Sequence, residues 1–192
     1  MQPDATAVLE FWFGAPGAPM HGQSRPEWFR KDAAFDALVV ERFGALIERA
    51  LVGAIDDWAE TLPALARVIV LDQFTRNAFR GTACAFAGDA MALHGARTLV
   101  ASGRDRELIG VQRQLAYLPF EHAEDLAHQR TCVQLFEQLG RDEPALAGLA
   151  EWARRHHDIV ARFGRFPHRN AVLGRTSSAE EIEFLKQPGS GF

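Results

Sequence analysis

An imidazole, a guanidinium and a carboxamide stand side by side at His168, Arg169 and Asn170 in the stretch I-V-A-R-F-G-R-F-P-H-R-N-A-V-L-G-R. Together they carry most of the hydrogen-bonding chemistry that a small site needs. Proline disfavours helix at the residue before it and lacks a donor, so Pro167 is expected to stop a helix and release the three side chains into irregular chain. A second group follows Pro119 in F-E-H-A-E-D, giving Glu121, His122, Glu124 and Asp125. Its chemistry would be general acid/base work, with His168 or His122 as base, Glu121 or Glu124 orienting the ring and Arg169 stabilising a developing anion. Acids in the first turn of a helix also favour its dipole by about 0.3–1 kcal/mol each, and that alone accounts for them. A third group, Asp72, Gln73, Arg76, Asn77 and Arg80, interrupts an apolar run, with Asp72 and Arg76 spaced as i,i+4 partners.

Between Arg154 and Arg175 the chain has six arginines and three histidines against one acid, Asp158. Interleaved with Trp152, Phe163 and Phe166, this has the look of a nucleic-acid patch. The chain holds 19 arginines but two lysines, with a net charge of −4. Phosphate tracking draws on both residues, so the preferred reading is an arginine network tied to the acids of the other groups, and no nucleic-acid partner is expected. Adjacent residues on a helix point apart, and neither H-E-x-x-H nor a cysteine pair is present, so no metal is expected. There is no phosphate loop or dinucleotide fingerprint, so no cofactor is expected either. His128 and Cys132 are spaced for a thiolate–imidazole dyad, although a core cysteine fits the pattern better. Ser190 lacks the context of a nucleophile elbow.

The elements that must position these residues are helices. Asp4 is a candidate cap for a first helix ending at Gly14, and the spacing of Phe35, Leu38, Val39, Phe43, Leu46, Ile47, Ala50 and Leu51 predicts a second. Thr61 caps a third, with Pro63 in its first turn, which reaches a junction ending at Gly81. Further helices are predicted over 84–102, over 107–117 with a stop at Leu118-Pro119, from Phe120 to Gly140 and from Pro144 to Phe163. A last short one opens at T-S-S-A-E-E, where Ser177–Glu180 and Ser178–Glu181 both fit a capping box. No segment alternates with period two, so the expected class is all-α, built of antiparallel helical hairpins, and no repeat recurs at a period of about 34 residues. With 192 residues, 47% of them hydrophobic, a single domain over 1–192 is expected. No apolar run nears the roughly 20 residues that span a bilayer and the N-terminus lacks a basic region, so a cytoplasmic protein is expected. Cys84 and Cys132 read as small core thiols.

V-L-E-F-W-F-G, W-F-R-K-D, L-D-Q-F-T-R-N-A-F-R-G, L-P-F-E-H-A-E-D and R-F-G-R-F-P-H-R-N-A-V-L-G-R-T-S-S-A-E-E together resemble the bacterial domain of unknown function 924 family across nearly the whole chain. Ala123 stands where the family pattern has serine. The resemblance implies a tetratricopeptide-like all-α fold, a right-handed superhelix of hairpins, and brings no activity with it. The leading expectation is one pocket that binds a small anionic ligand or a peptide carboxylate, with Arg76, Arg80, Arg169 and Arg175 as charge-assisted forks. Gln73 and Asn170 would orient that ligand, beside Asp72, Asn77 and Glu124. The alternatives are a superhelical interaction module using Trp12, Trp28 and Phe29, a surface that could also serve self-association, and a hydrolase using a His/Glu pair.

Overall fold

A computed structural model describes residues 2–191 and, among them, shows helices and no strand. The chain divides into two compact units: residues up to 80 with 84–119, and residues 81–83 with those from 120 onward. No helix among the described residues is long and apolar enough to cross a membrane.

In the first unit, α1 (Pro3–Phe13) starts after Gln2 instead of Asp4. Proline, with φ preset and no N–H to lose, takes the first helical position and leaves Asp4 in the first turn. Trp12 from this helix lies flat on Trp28 (centroids 5.6 Å apart, planes 5° apart), and both are buried. Helix α2 (Ala33–Leu51) is capped by the Asp32 carboxylate, which accepts from the N–H groups of Ala34 and Phe35. Helix α3 (Thr61–Ile69) is entered from Glu60 without a side-chain cap, because the Thr61 hydroxyl donates to Glu107 instead.

The chain does not break at the D-Q-F-T-R-N junction. It widens into a buried π-helical turn, Val70–Phe74, and resumes as α4 (Thr75–Ala78). Such turns displace one residue from the regular ladder and recur at functional sites. The Thr75 hydroxyl donates to the Leu71 carbonyl at 2.8 Å within it. Helix α5 (Asp89–Ala101) starts later than the expected 84, after a 3₁₀ turn over Ala83–Phe86. Helix α3 packs on α1 and α5, and α2 packs on α4 and the π turn.

Helix α6 (Gly110–His122) runs through Pro119, where the sequence predicts a stop. In the second unit, α7 (Leu126–Asp142) packs against α8 (Leu149–Phe163) as a hairpin. Helix α8 ends at Gly164, left-handed at φ 70°, whose N–H closes on the Val160 carbonyl at 2.8 Å. The expected stop at Pro167 is therefore pre-empted three residues earlier by a glycine cap. Pro167 instead opens a 3₁₀ turn, Pro167–Arg169, against which α9 (Ala179–Leu185) packs. Of the two candidate capping boxes, Ser178–Glu181 forms. The Ser177 hydroxyl accepts from the Asn170 side chain.

Candidate functional site

The helix through Pro119 changes the meaning of F-E-H-A-E-D. Glu121 and His122 lie in the last turn of α6, where a carboxylate opposes the dipole instead of gaining from it. Asp125 starts α7 and accepts from the His128 N–H, so the dipole argument holds for that acid alone. A helix end leaves its last carbonyls without intrahelical donors. Here two side chains supply them: the Gln129 amide donates to the carbonyls of Phe120, Glu121 and Ala123, and Arg169 donates to that of His122 at 3.0 Å. These tertiary caps carry α6 past its proline.

The 164–178 segment is fastened to this helix end. Glu124 accepts from the Phe166 N–H at 2.8 Å and from both terminal nitrogens of Arg175. Arg175 also donates to the Asn170 side chain and the Phe166 carbonyl. Burial alone would raise the Glu124 carboxyl, but Arg175 and the Phe166 N–H outweigh it and hold it below the usual carboxylate range. Arg165 pairs with buried Glu181, whose carboxyl falls to about 2.

Around the fully buried Phe166 ring lie the His156 ring (5.6 Å), the His168 ring (5.7 Å) and the Arg169 guanidinium (4.5 Å). His156 Nδ1 is 2.9 Å from the Trp152 carbonyl and 3.5 Å from a Glu121 carboxylate oxygen. A carbonyl accepts and cannot donate, so Nδ1 carries the proton and Nε2 keeps the lone pair. Burial, with the charges of His122, Arg169 and His168, pushes His156 down to about 3 despite the Trp152 bond. Burial and Arg169 push His168 down to about 4. Both rings are neutral at pH 7.

That neutrality makes stability depend on pH. The unfolded chain protonates these rings below about 6.5 while the folded one does not, so their contribution is complete above 6.5 and is lost as pH falls toward 4 and then 3. For His156 the loss between pH 7 and 5 is on the order of 2 kcal/mol. Urea melts at the two pH values are expected to show it, and His156→Gln, whose amide still reaches the Trp152 carbonyl, is expected to lose clearly less. Equal losses in the two proteins would remove His156 from the account.

The first two sequence groups, at His168–Asn170 and at F-E-H-A-E-D, thus come together in the second unit. The Asp72 group belongs to the first unit and is engaged there. Arg76 binds the Asp72 carboxylate at 3.1 Å and carbonyl at 2.7 Å, and grips Asp89 with two bonds (2.8 and 3.1 Å). Gln73 donates to Asp72. Asn77 and Arg80 both converge on Asp36. An open cleft of about 290 Å³ also lies in this unit, lined by Gln2, Asp57, Trp58, Ala59, Glu60 and Pro63, none of them a residue selected from the sequence.

Sequence reasoning missed His156, Asp36 and Asp89, and gave Phe166 no part beyond the basic aromatic patch. His156 carried a signal: it lies on the buried side of α8 with Ala153, Ile159 and Val160, an unusual place for an imidazole. Cys132 is a buried core thiol pushed up by burial and by Glu121, whereas Cys84, expected in the core, is exposed. His128 meets the Phe120 ring edge-on at 6.1 Å. Among the described residues no group of three or more His, Cys, Asp or Glu is arranged to hold a metal ion.

Residues 8–189 match the family described as bacterial protein of unknown function, DUF924. The chain belongs to that family. The DUF924 chain is also similar to a solved protein of unknown function from Agrobacterium tumefaciens, with a TM-score of 0.82 and 38% identity over 95% of this chain and 96% of that one. Among curated proteins nothing matches. For the DUF924 chain the motifs that carry the likeness are therefore attached to particular jobs: Glu124, Arg169, Asn170 and Arg175 build the helix-end junction.

Proposed function

We propose that this protein is a small-molecule-binding domain, one domain over residues 1–192, whose site is the junction of the α6 end with the 165–175 segment. Its ligand is a small anion or a peptide carboxylate. The observation that supports this is the convergence of His156, His168 and Arg169 on one buried phenylalanine. A core selected for stability alone favours apolar groups at such positions, because buried polar ones cost desolvation. Neutral imidazoles both donate and accept; burial lowers their pKa most, and the Arg169 charge that adds to it also attracts an anion. Arg76, Arg80 and Arg175 hold protein carboxylates, so an anion there displaces Asp89, Asp36 or Glu124, and Arg169 with His168 and His122 carries the recognition. We place the protein in the cytoplasm and the hairpins in a tetratricopeptide-like right-handed superhelix, in keeping with the α7–α8 pair and the family motifs.

Pairing of Arg154, Arg162, Arg165 and Arg175 with Glu137, Glu180, Glu181 and Glu124 supports the arginine network over a nucleic-acid partner. A hydrolase is the second reading, favoured by the approach of Glu121 to His156 at 3.5 Å. An interaction module would use exposed Phe29 or Trp152, since Trp12 and Trp28 are core.

A thermal-shift screen of organic acids, phosphates, nucleotides and short peptides tests the binding reading. At least one carboxylate or phosphate is expected to raise the melting temperature of wild type and to lose that effect in His168→Ala and in Arg169→Lys, which keeps the charge but not the planar fork. A panel silent on wild type would reject it.

A further inference from the structure

We propose that the turn Gln187–Gly191 is an autoinhibitory lid on His168, which must lift before a small molecule reaches the imidazole; this rests on the binding reading of the same site. The turn has a defined build. The Ser190 N–H returns to the Gln187 carbonyl at 3.3 Å around Pro188 and Gly189, the latter at φ 77°. Proline followed by a left-handed glycine is the sequence of a type II turn. Ser190 is buried although Lys186 through Gly189 are exposed, and its hydroxyl donates to the Leu185 carbonyl at 3.1 Å. That pin folds the chain back so that a Cβ built on Gly191 would lie 3.7 Å from the Cβ of His168, an ordinary packing contact.

The stability of the two neighbours differs in kind. Helix α9 is anchored by its capping box, by the Glu181–Arg165 pair and by the Phe163–Phe184 contact at 5.1 Å. The turn beyond it presents exposed backbone and little apolar surface, which is where local opening is least costly. Opening about Lys186 uncovers His168 and leaves α9, with the carboxylate that orients Arg165, in place.

Acylation of neutral imidazole by diethyl pyrocarbonate tests the lid without any ligand. His168 is neutral at pH 7, so protonation does not mask a change in access between variants, and exposed His94 in the first unit is the internal reference. In the full chain, Gly189→Val forces a β-branched residue into a positive φ, and Ser190→Ala removes the pin. Peptide mapping is expected to show His168 modified several-fold faster in Gly189→Val and at an intermediate rate in Ser190→Ala, with His94 unchanged and the helical circular dichroism retained. An unchanged His168 rate in folded Gly189→Val, or a wild-type rate equal to that of His94, overturns the proposal. Hydrogen exchange on wild type gives a second reading that needs no variant: the Ser190 amide is expected to exchange much faster than that of Glu181, and equal protection overturns the lid. Accelerated acylation beside a silent ligand screen would reject the binding reading and keep the lid, and the reverse pair would do the opposite.

Discussion

Arg169→Ala is expected to lower folding stability by about 3 kcal/mol, and His168→Ala to leave it within about 1 kcal/mol, though the two residues are neighbours in sequence. Arg169 is buried, donates to the His122 carbonyl at 3.0 Å and covers the Phe166 face at 4.5 Å. Its removal leaves a helix-end carbonyl without its donor and opens a void against an aromatic ring, two losses of about 1–3 kcal/mol each that overlap in part. It also withdraws a positive charge that favours the ionised Glu124. His168 is half-buried and its ring is neutral at pH 7, so truncation removes a partly exposed side chain and no charge. Urea melts of both variants, with the slope compared to wild type, check this. Two equally large losses would make His168 scaffold and undercut the binding reading at its centre.

Gly88→Ala is expected to cost about 3 kcal/mol or more, from a position with no side chain and no predicted role. A Cβ there would lie 2.1 Å from the Leu71 carbonyl oxygen and 2.9 Å from its carbon, and backbone cannot move aside as a side-chain tip can. That carbonyl belongs to the π turn and already accepts from Thr75. The next residue, Asp89, reaches Arg76 because α5 starts this close to the turn. The substitution therefore strains the turn and draws Asp89 off a half-buried guanidinium together. Gly95→Ala in the same unit is the control: its Cβ would meet the Val68 Cγ2 at 3.3 Å, a methyl that can yield, and alanine favours the helix. Thermal melts are expected to separate the two sharply. A Gly88→Ala protein as stable as Gly95→Ala would mean that the π turn relaxes freely.

Helix α2 was legible in the sequence because its apolar spacing is local, repeating within one or two turns; the Asp32 cap came only with the structure. The Ser178–Glu181 box was legible for the same reason, although two overlapping boxes fitted and Asn170, arriving from outside the helix, engages Ser177. The all-α class follows from many such local signals agreeing. The polar groups were legible too, since each interrupts a run that burial would otherwise keep apolar.

What the sequence alone determined is therefore the helical class, most helix positions, the family and which residues are chemically distinctive. Tertiary structure decided what those residues do. Pro119 should end a helix on local grounds, and α6 passes it because Gln129 and Arg169, remote in sequence, cap its last carbonyls. The fate of Glu121 and His122 turned on that one continuation. The partners of the arginines, Asp36, Asp89, Glu124 and Glu181, lie 13 to 51 residues away from them. No periodicity reports a pairing at that range, because an ion pair constrains two side chains and leaves the pattern of the chain between them untouched.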